Sequence, residues 1–387
     1  MTQGPLSGVR VLDLSRVLAG PWATQTLADL GAEVIKIERP GAGDDTRHWG
    51  PPFTTRADGS KGDAAYFLCA NRGKKSVALD IATPEGAAVV RELAKSCDVV
   101  VENFKTGGLR KYGLDHAALS AVNPKLVYCS ISGFGADGPY ADRPSYDSVA
   151  QALSGFLSVV VDPDRPRFLG PALADAITGI YAAYGVLGAL FERSRTGSGR
   201  LVEVSMLEAM AHFAVEPFAA FFALDRAPQS SDRPRLAQAY ILRTADGALI
   251  AIHLSSLEKF WEGLVSALPA STIGSDERFR TRQARIDNYE ALGAALDAQF
   301  SRHTLQHWAE RLGANDVPFA PINRIDQVVQ DPQVRHLGLV VPVERAHGGK
   351  QAVRPAVQFD GARATHVTTA PLLDEHGADI RRSPWTP

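Results

Sequence analysis

The 387 residues carry 45% hydrophobic and 22% charged side chains at a formal net charge of -2, a composition that fills cores, predicts two or three domains and lacks the basic excess of a nucleic-acid binder. Three cysteines, Cys69, Cys97 and Cys129, are odd in number and far apart, which excludes a disulfide framework or a C-x-x-C pair and suits a reducing cytoplasm. Residues 1–20 show no signal-peptide pattern, because Arg10, Asp13 and Arg16 interrupt the apolar residues, and no run reads as the ~20 apolar residues of a membrane span.

A cytoplasmic protein with no membrane partner is therefore expected. Val9 to Leu14 reads as a strand, followed by a loop from Ser15 through Gly20-Pro21 into a helix over Trp22 to Leu30, which Gly31 ends. Glu33 to Glu38 alternates as a second strand until Pro40-Gly41 breaks it, and a Gly/Asp/Pro-rich loop continues to about Ser60. Thr83-Pro84-Glu85-Gly86 places a capping residue and a proline at a helix start; that helix runs to Ser96 and feeds a strand over Asp98 to Glu102, and Lys125 to Ser132 forms another. Strands alternating with helices through short loops predict a parallel sheet covered on both faces, the α/β class, whose ligands gather at the carboxyl ends of the strands.

Ala174 to Arg193 reads as a helix stripped of bulk by Gly179, Ala182, Ala183, Gly185, Gly188 and Ala189, as a buried and closely approached helix requires. Leu201 to Ser205 returns to strand, and Met206 begins a further helix. Pro, Ser, Asp and Arg between 225 and 235 read as a linker into a compact segment. That segment opens with a hairpin, Ala239 to Arg243 and Leu249 to His253 about Asp246-Gly247, and continues in helices.

Gly133, Gly135 and Gly138 spell a literal G-x-G-x-x-G after a strand. Pro139 and Pro144 leave no helix N-terminus to receive a pyrophosphate, so a Gly/Pro loop is the reading and a nicotinamide fold is rejected. His303 and His307 stand at i, i+4 but lack the glutamate and third ligand of a zinc protease, so no metal site is expected. No G-x-S-x-G is present. Asp175, at the head of the small-residue helix, reads by itself as an N-cap worth ~1 kcal/mol.

Taken as a set, Leu6 to Asp13, Ala19-Gly20-Pro21, Leu30 to Glu38, Val101-Glu102-Asn103-Phe104, Asn123-Pro124, Pro144-Ser145-Tyr146-Asp147, Gln151 to Gly155 and Thr196 to Ser205 resemble the family III CoA-transferases, which include formyl-CoA and carnitine CoA-transferases. The resemblance implies a Rossmann-like parallel sheet in a large CoA-binding α/β domain over 1–225, a smaller α+β domain with linkers over 226–329, a return of 330–387 to the large domain, and an interlocked homodimer. It implies that Asp175 attacks an acyl-CoA thioester, giving a mixed anhydride and then an aspartyl-CoA thioester that an acceptor acid opens.

By position in the same pattern, Val17 and Ala19 would line the coenzyme with backbone groups, and Arg39 would reach the adenosine end. Lys74 or Lys75 would meet phosphate oxygens, and Asn103 and Phe104 would touch pantetheine and nucleotide. Lys111 stands where the family often has arginine, keeping the charge without the bidentate grip. Tyr146 and Asp147 would line the substrate pocket, Tyr146 being equally readable as a core aromatic with a satisfied hydroxyl. The 2-methylacyl-CoA racemases share the fold, but their His-containing stretch corresponds here to Arg143 to Ser148, which has no histidine, so a transferase is preferred to a racemase or isomerase. A CoA-binding protein without chemistry is the third reading. Coenzyme A and acyl-CoA are expected as substrates, with no tightly bound cofactor.

Overall fold

Side-chain alternation decides the central sheet. Val11, Val34, Val99 and Val101 belong to one buried cluster and Leu12, Ile35 and Val100 to another, as the pleat demands of strands covered on both faces. The computed structural model describes residues 4–56, 58–168, 170–255, 257–268, 272–344, 350–383 and 385. In chain order the elements are β1 (Arg10–Asp13), α1 (Ala19–Asp29), β2 (Glu33–Glu38), the antiparallel pair β3 (Phe53–Thr55) and β4 (Lys61–Ala64), α2 (Ala65–Leu68), β5 (Lys74–Ala78), α3 (Pro84–Ala94), β6 (Val99–Glu102), α4 (His116–Val122), β7 (Val127–Ser132), α5 (Asp147–Leu153), α6 (Leu173–Thr196), β8 (Leu201–Ser205), α7 (Met206–Phe213) and α8 (Val215–Leu224).

Six strands form one sheet in the order β5-β2-β1-β6-β7-β8, every neighbouring pair parallel. The order reverses between β1 and β6, and a doubly wound sheet opens its ligand crevice beyond the strand ends at such a point. One face is covered by Ala87, Val90 and Leu93 of α3 and Leu119 of α4, the other by Ala23 and Leu27 of α1 and Ala182, Ala183, Val186 and Ala189 of α6. Thr83 caps α3 through Gly86 N, with Pro84 in the first turn where its missing N–H costs nothing.

The chain divides into two compact units, one of Met1–Leu157, Arg167–Phe218 and Gln333–Pro387, the other of Ser158–Pro166 and Ala219–Pro332. The second unit holds a three-stranded antiparallel sheet of Ala239–Arg243, Leu249–His253 and Phe319–Pro321, whose core includes Trp261, Leu264, Phe300 and Trp308. Gly247 turns the hairpin at φ 78°.

Several details differ from the sequence reading. The loop after β2 contains a 3-10 turn, Asp45–His48, together with β3, and the 225–235 stretch runs into a short helix, Asp232–Ala237. Length and composition alone also make α6, at 24 residues, apolar enough to cross a membrane, where the sequence reading finds no such run. Its Gly/Ala face packs on α1, while Ile180, Tyr184 and Phe191 form an exposed stripe at 56%, 73% and 66% accessibility.

Candidate active site

Buried charge fixes the carboxyl end of β1. Asp13 is fully buried; Ser15 and Thr24 Oγ1 (2.6 Å) donate to it, and Lys74 Nζ pairs with it at 3.0 Å. Burial pushes this carboxyl up, but Lys74, Lys36 and the two hydroxyls outweigh it and hold Asp13 down at about 2. Lys36, equally buried, donates to Ser15 O at 2.8 Å and pairs with Asp44 at 2.9 Å. Asp44 in turn accepts from Val17 N at 3.3 Å. Pinned in this way, Val17 sits at φ 69°, a left-handed conformation that a β-branched residue enters only when its surroundings over-determine it.

At the switch point Asn103, directly after β6, ties to the loop that follows β1. Its Oδ1 accepts from Arg16 N at 2.9 Å and its Nδ2 donates to Arg16 O at 2.7 Å. Arg16 and Arg39 both reach Asp45, at 3.1 and 2.9 Å, with their guanidinium groups more than half exposed. Val17, Arg39 and Asn103, read from separate parts of the sequence, thus meet at adjoining strand ends, with Phe104 next in the chain, half-buried against the core.

Asp175 is placed by close helix packing. A Cβ on Gly179 would fall 2.7 Å from Ala19 O and 3.0 Å from Trp22 Cβ, so the backbone of α6 rides on the first turn of α1. One turn before Gly179, Asp175 lies buried in the first turn of α6. Asp147, the first residue of α5, caps that turn. Its Oδ1 accepts from Ala174 N at 2.7 Å and Asp175 N at 3.2 Å, and its Oδ2 accepts from Gln151 Nε2 at 2.6 Å.

The capping role that Asp175 alone would suggest therefore belongs to Asp147. Among the described residues no donor reaches the Asp175 carboxyl, and burial, reinforced by the charge of Asp147, pushes it up to about 7. The Tyr66 phenol is close enough to feel the same site: burial first, then the charges of Asp175, Cys69 and Asp147, push it up to about 12. Trp49 packs on the Tyr66 ring at 5.8 Å between centroids. A buried carboxyl without a partner among the described residues thus stands in the first turn of α6, whose Ala174 and Asp175 N–H groups are held by Asp147.

Other expected site residues lie elsewhere or are already engaged. Lys74 spends its donors on Asp13, Pro21 O and Asn71 inside the core and has none left for a phosphate; burial, against the pull of Asp13, lowers it to about 8. Lys75 sits within β5 beside the start of β2, bound to Glu33 at 2.6 Å and lining a separate cavity with His376, Arg382 and Trp385. Lys111 is exposed over the Tyr112 ring, and Tyr146 is 59% exposed rather than a core aromatic. Both oxygens of Asp147 accept from protein groups, which gives it a structural part at the start of α6 beside its expected place as a substrate contact. Ala19 contributes a buried side chain to the α1–α6 seam.

Sequence reasoning missed Tyr66, Trp49 and Asp45, for which no spacing rule exists; Gln151 could have been found as the i, i+4 partner of Asp147. His303 and His307 stack face to face at 4.0 Å, so their nitrogens do not converge on one point. Among the described residues no group of three or more His, Cys, Asp or Glu could hold a metal ion. The chain from Gly133 to Tyr146 contains no helix, in keeping with a Gly/Pro loop.

Comparison with known proteins identifies relatives of the whole chain. The family pattern of CoA-transferase family III matches residues 6–377. A succinate–glutarate CoA-transferase of Agrobacterium fabrum is 40% identical over 97% of this chain and 94% of its own, and a succinyl-CoA:glutarate CoA-transferase of Mus musculus is 36% identical over 97% and 85%. The crystal structure of a CAIB/BAIF family protein from Brucella suis superposes with a TM-score of 0.88 at 39% identity, covering 99% of this chain and 100% of that one.

Proposed function

The chain belongs to CoA-transferase family III and is an enzyme that moves coenzyme A between an acyl-CoA and a carboxylic acid; on that premise we propose that Asp175 carries the exchange as a covalent nucleophile. An Asp175 oxygen attacks the thioester carbonyl carbon, the C–S bond breaks, and the CoA thiolate leaves an acyl-aspartyl anhydride. The thiolate then attacks the Asp175 carbonyl, releasing the donor acid as its carboxylate and leaving an aspartyl-CoA thioester. An acceptor carboxylate opens this thioester by the same two steps in reverse order, regenerating Asp175, with no net proton gained or lost.

The observation that carries the reading is a buried carboxyl, without a partner among the described residues, in the first turn of α6. Developing oxyanions would lie at the positive, N-terminal end of the α6 dipole, whose Ala174 and Asp175 N–H groups Asp147 holds. For the coenzyme, we assign the Val17 loop, Arg39, Asn103 and Phe104 at the crevice, with exposed Lys111 beyond β6. The names of the relatives favour dicarboxylates such as succinate and glutarate as the exchanged acids.

The chain acts as a homodimer in this proposal, a second copy covering the exposed Ile180, Tyr184 and Phe191 stripe, since a contiguous apolar patch of this kind favours burial against a partner. Interlocked rings are the form the family resemblance implies. A cytoplasmic location accords with three free cysteines. Incubation with succinyl-CoA and hydroxylamine, followed by peptide mass spectrometry, tests the chemistry: a hydroxamate on Asp175 supports it, and turnover retained by Asp175→Asn overturns it. Elution as a monomer in size-exclusion chromatography counts against the dimer.

A further inference from the structure

We infer that Asp147 is a positioning residue for the exchange, which holds the nucleophile's backbone and uses its own charge to favour the states in which Asp175 is acylated. The inference rests on Asp175 being the nucleophile. A helix begins with four N–H groups that lack intrahelical partners, and here two of them, on Ala174 and on Asp175 itself, end on one oxygen of Asp147 at 2.7 and 3.2 Å. The other oxygen is tied down by Gln151, 1% exposed, at 2.6 Å. Asp147 cannot turn away without giving up three hydrogen bonds. The first turn of α6 is therefore fixed from α5, and nucleophile placement tolerates little error.

The same carboxylate acts electrostatically. The titratable groups that face Asp175 are Asp147 on α5 and the Tyr66 phenol on α2, and no cation among the described residues pairs with it. Repulsion between the two carboxylates exists only while Asp175 is ionised. It vanishes in the anhydride and in the aspartyl-CoA thioester, where Asp175 is neutral and the negative charge has left with thiolate or with the departing acid. Asp147 thus raises the resting state more than the acylated ones, and the difference appears as a larger equilibrium constant for acylation.

Asp147→Asn separates the two roles, because it keeps an oxygen for Ala174 N and Asp175 N while removing the charge, and the Gln151 amide can flip to accept from the new NH2. The acid limb of kcat/KM is expected to move about one pH unit lower, and the fraction of enzyme trapped as the Asp175 hydroxamate to fall roughly tenfold, the two being the same free-energy change. Asp147→Ala also loses the anchor, so its kcat drops further with KM for the acceptor acid little altered. If that variant does not fold, Gln151→Leu serves instead, lowering kcat with the pH limb unmoved.

An unshifted limb in Asp147→Asn overturns the electrostatic role. A raised KM for the acceptor acid at preserved kcat in Asp147→Ala overturns the positioning role and makes Asp147 a substrate contact. Turnover by Asp175→Asn would instead remove the premise, whatever the Asp147 variants do.

Discussion

Asn103 holds the backbone of Arg16 at two points, accepting from its N–H at 2.9 Å and donating to its carbonyl at 2.7 Å across the point where the strand order reverses. Two such bonds contribute about 1–3 kcal/mol together. Asn103→Leu, which removes both, is expected to loosen the Val17 loop and raise KM for acyl-CoA by roughly tenfold or more, with a smaller effect on kcat. Steady-state kinetics at fixed acceptor concentration checks this; an unchanged KM would separate the loop from coenzyme binding.

In the proposed mechanism Asp175 sets the pH behaviour. Burial and the charge of Asp147 push its carboxyl up to about 7, so kcat/KM should fall as pH drops below that value and the carboxylate proposed to attack is lost. Stability moves the other way. A carboxyl whose folded pKa is raised from 3.8 to about 7 stabilises the fold below its unfolded pKa and loses that contribution as pH climbs through the folded value. Asp175→Asn should therefore be more stable than the parent at pH 8, by at most about 4 kcal/mol, with the advantage vanishing near pH 4. Thermal melts at both pH values provide the comparison; equal melting gains at pH 4 and pH 8 would exclude this linkage.

Lys74 is a core ion rather than a coenzyme ligand. Lys74→Met strands the buried carboxylate of Asp13 and is expected to cost about 3–5 kcal/mol in urea unfolding, with partial recovery in the Asp13→Asn, Lys74→Met double variant. Whatever activity survives should show the parent's KM ratio between acyl-CoA and its 3′-dephospho form. A collapsed ratio would return Lys74 to the phosphate.

Gly179→Ala probes the seam between α1 and α6. The added methyl would meet Ala19 O at 2.7 Å, a backbone atom that cannot rotate aside, and such overpacking typically costs about 1–3 kcal/mol. A lowered melting temperature together with reduced kcat is expected, since relief requires moving the helix that carries Asp175. Gly313, in the helix Leu305–Ala314, where an added methyl would meet only the Phe319 ring at an ordinary 3.9 Å, serves as the control: Gly313→Ala should be neutral or slightly stabilising by calorimetry.

Much of this was legible in the sequence because it depends on local rules. The boundaries of β2 and β8 and both strands of the Ala239–His253 hairpin fall where alternation puts them, and the small-residue stretch is a helix whose Gly/Ala face is buried while its opposite face is exposed. What was not legible involves distance along the chain. Nothing near Lys74 in sequence announces that Asp13 awaits it, so its charge reads as a ligand; likewise Lys75 follows a loop yet lies inside a strand, facing Glu33. Tyr66 meets the charge of Asp175 only because β3, β4 and α2 fold a loop back, a contact no periodicity reports.

Because α6 touches α1 through main-chain atoms at Gly179 and Ala19, and α1 begins where the Val17 loop ends, the spacing between the proposed coenzyme cradle and the proposed nucleophile is a ruler cut from backbone alone. Side chains elsewhere can diversify to admit acids of other sizes without recalibrating it. If the proposed chemistry holds, a scaffold of that kind lets acceptor preference drift while the reach from thioester to aspartate stays constant.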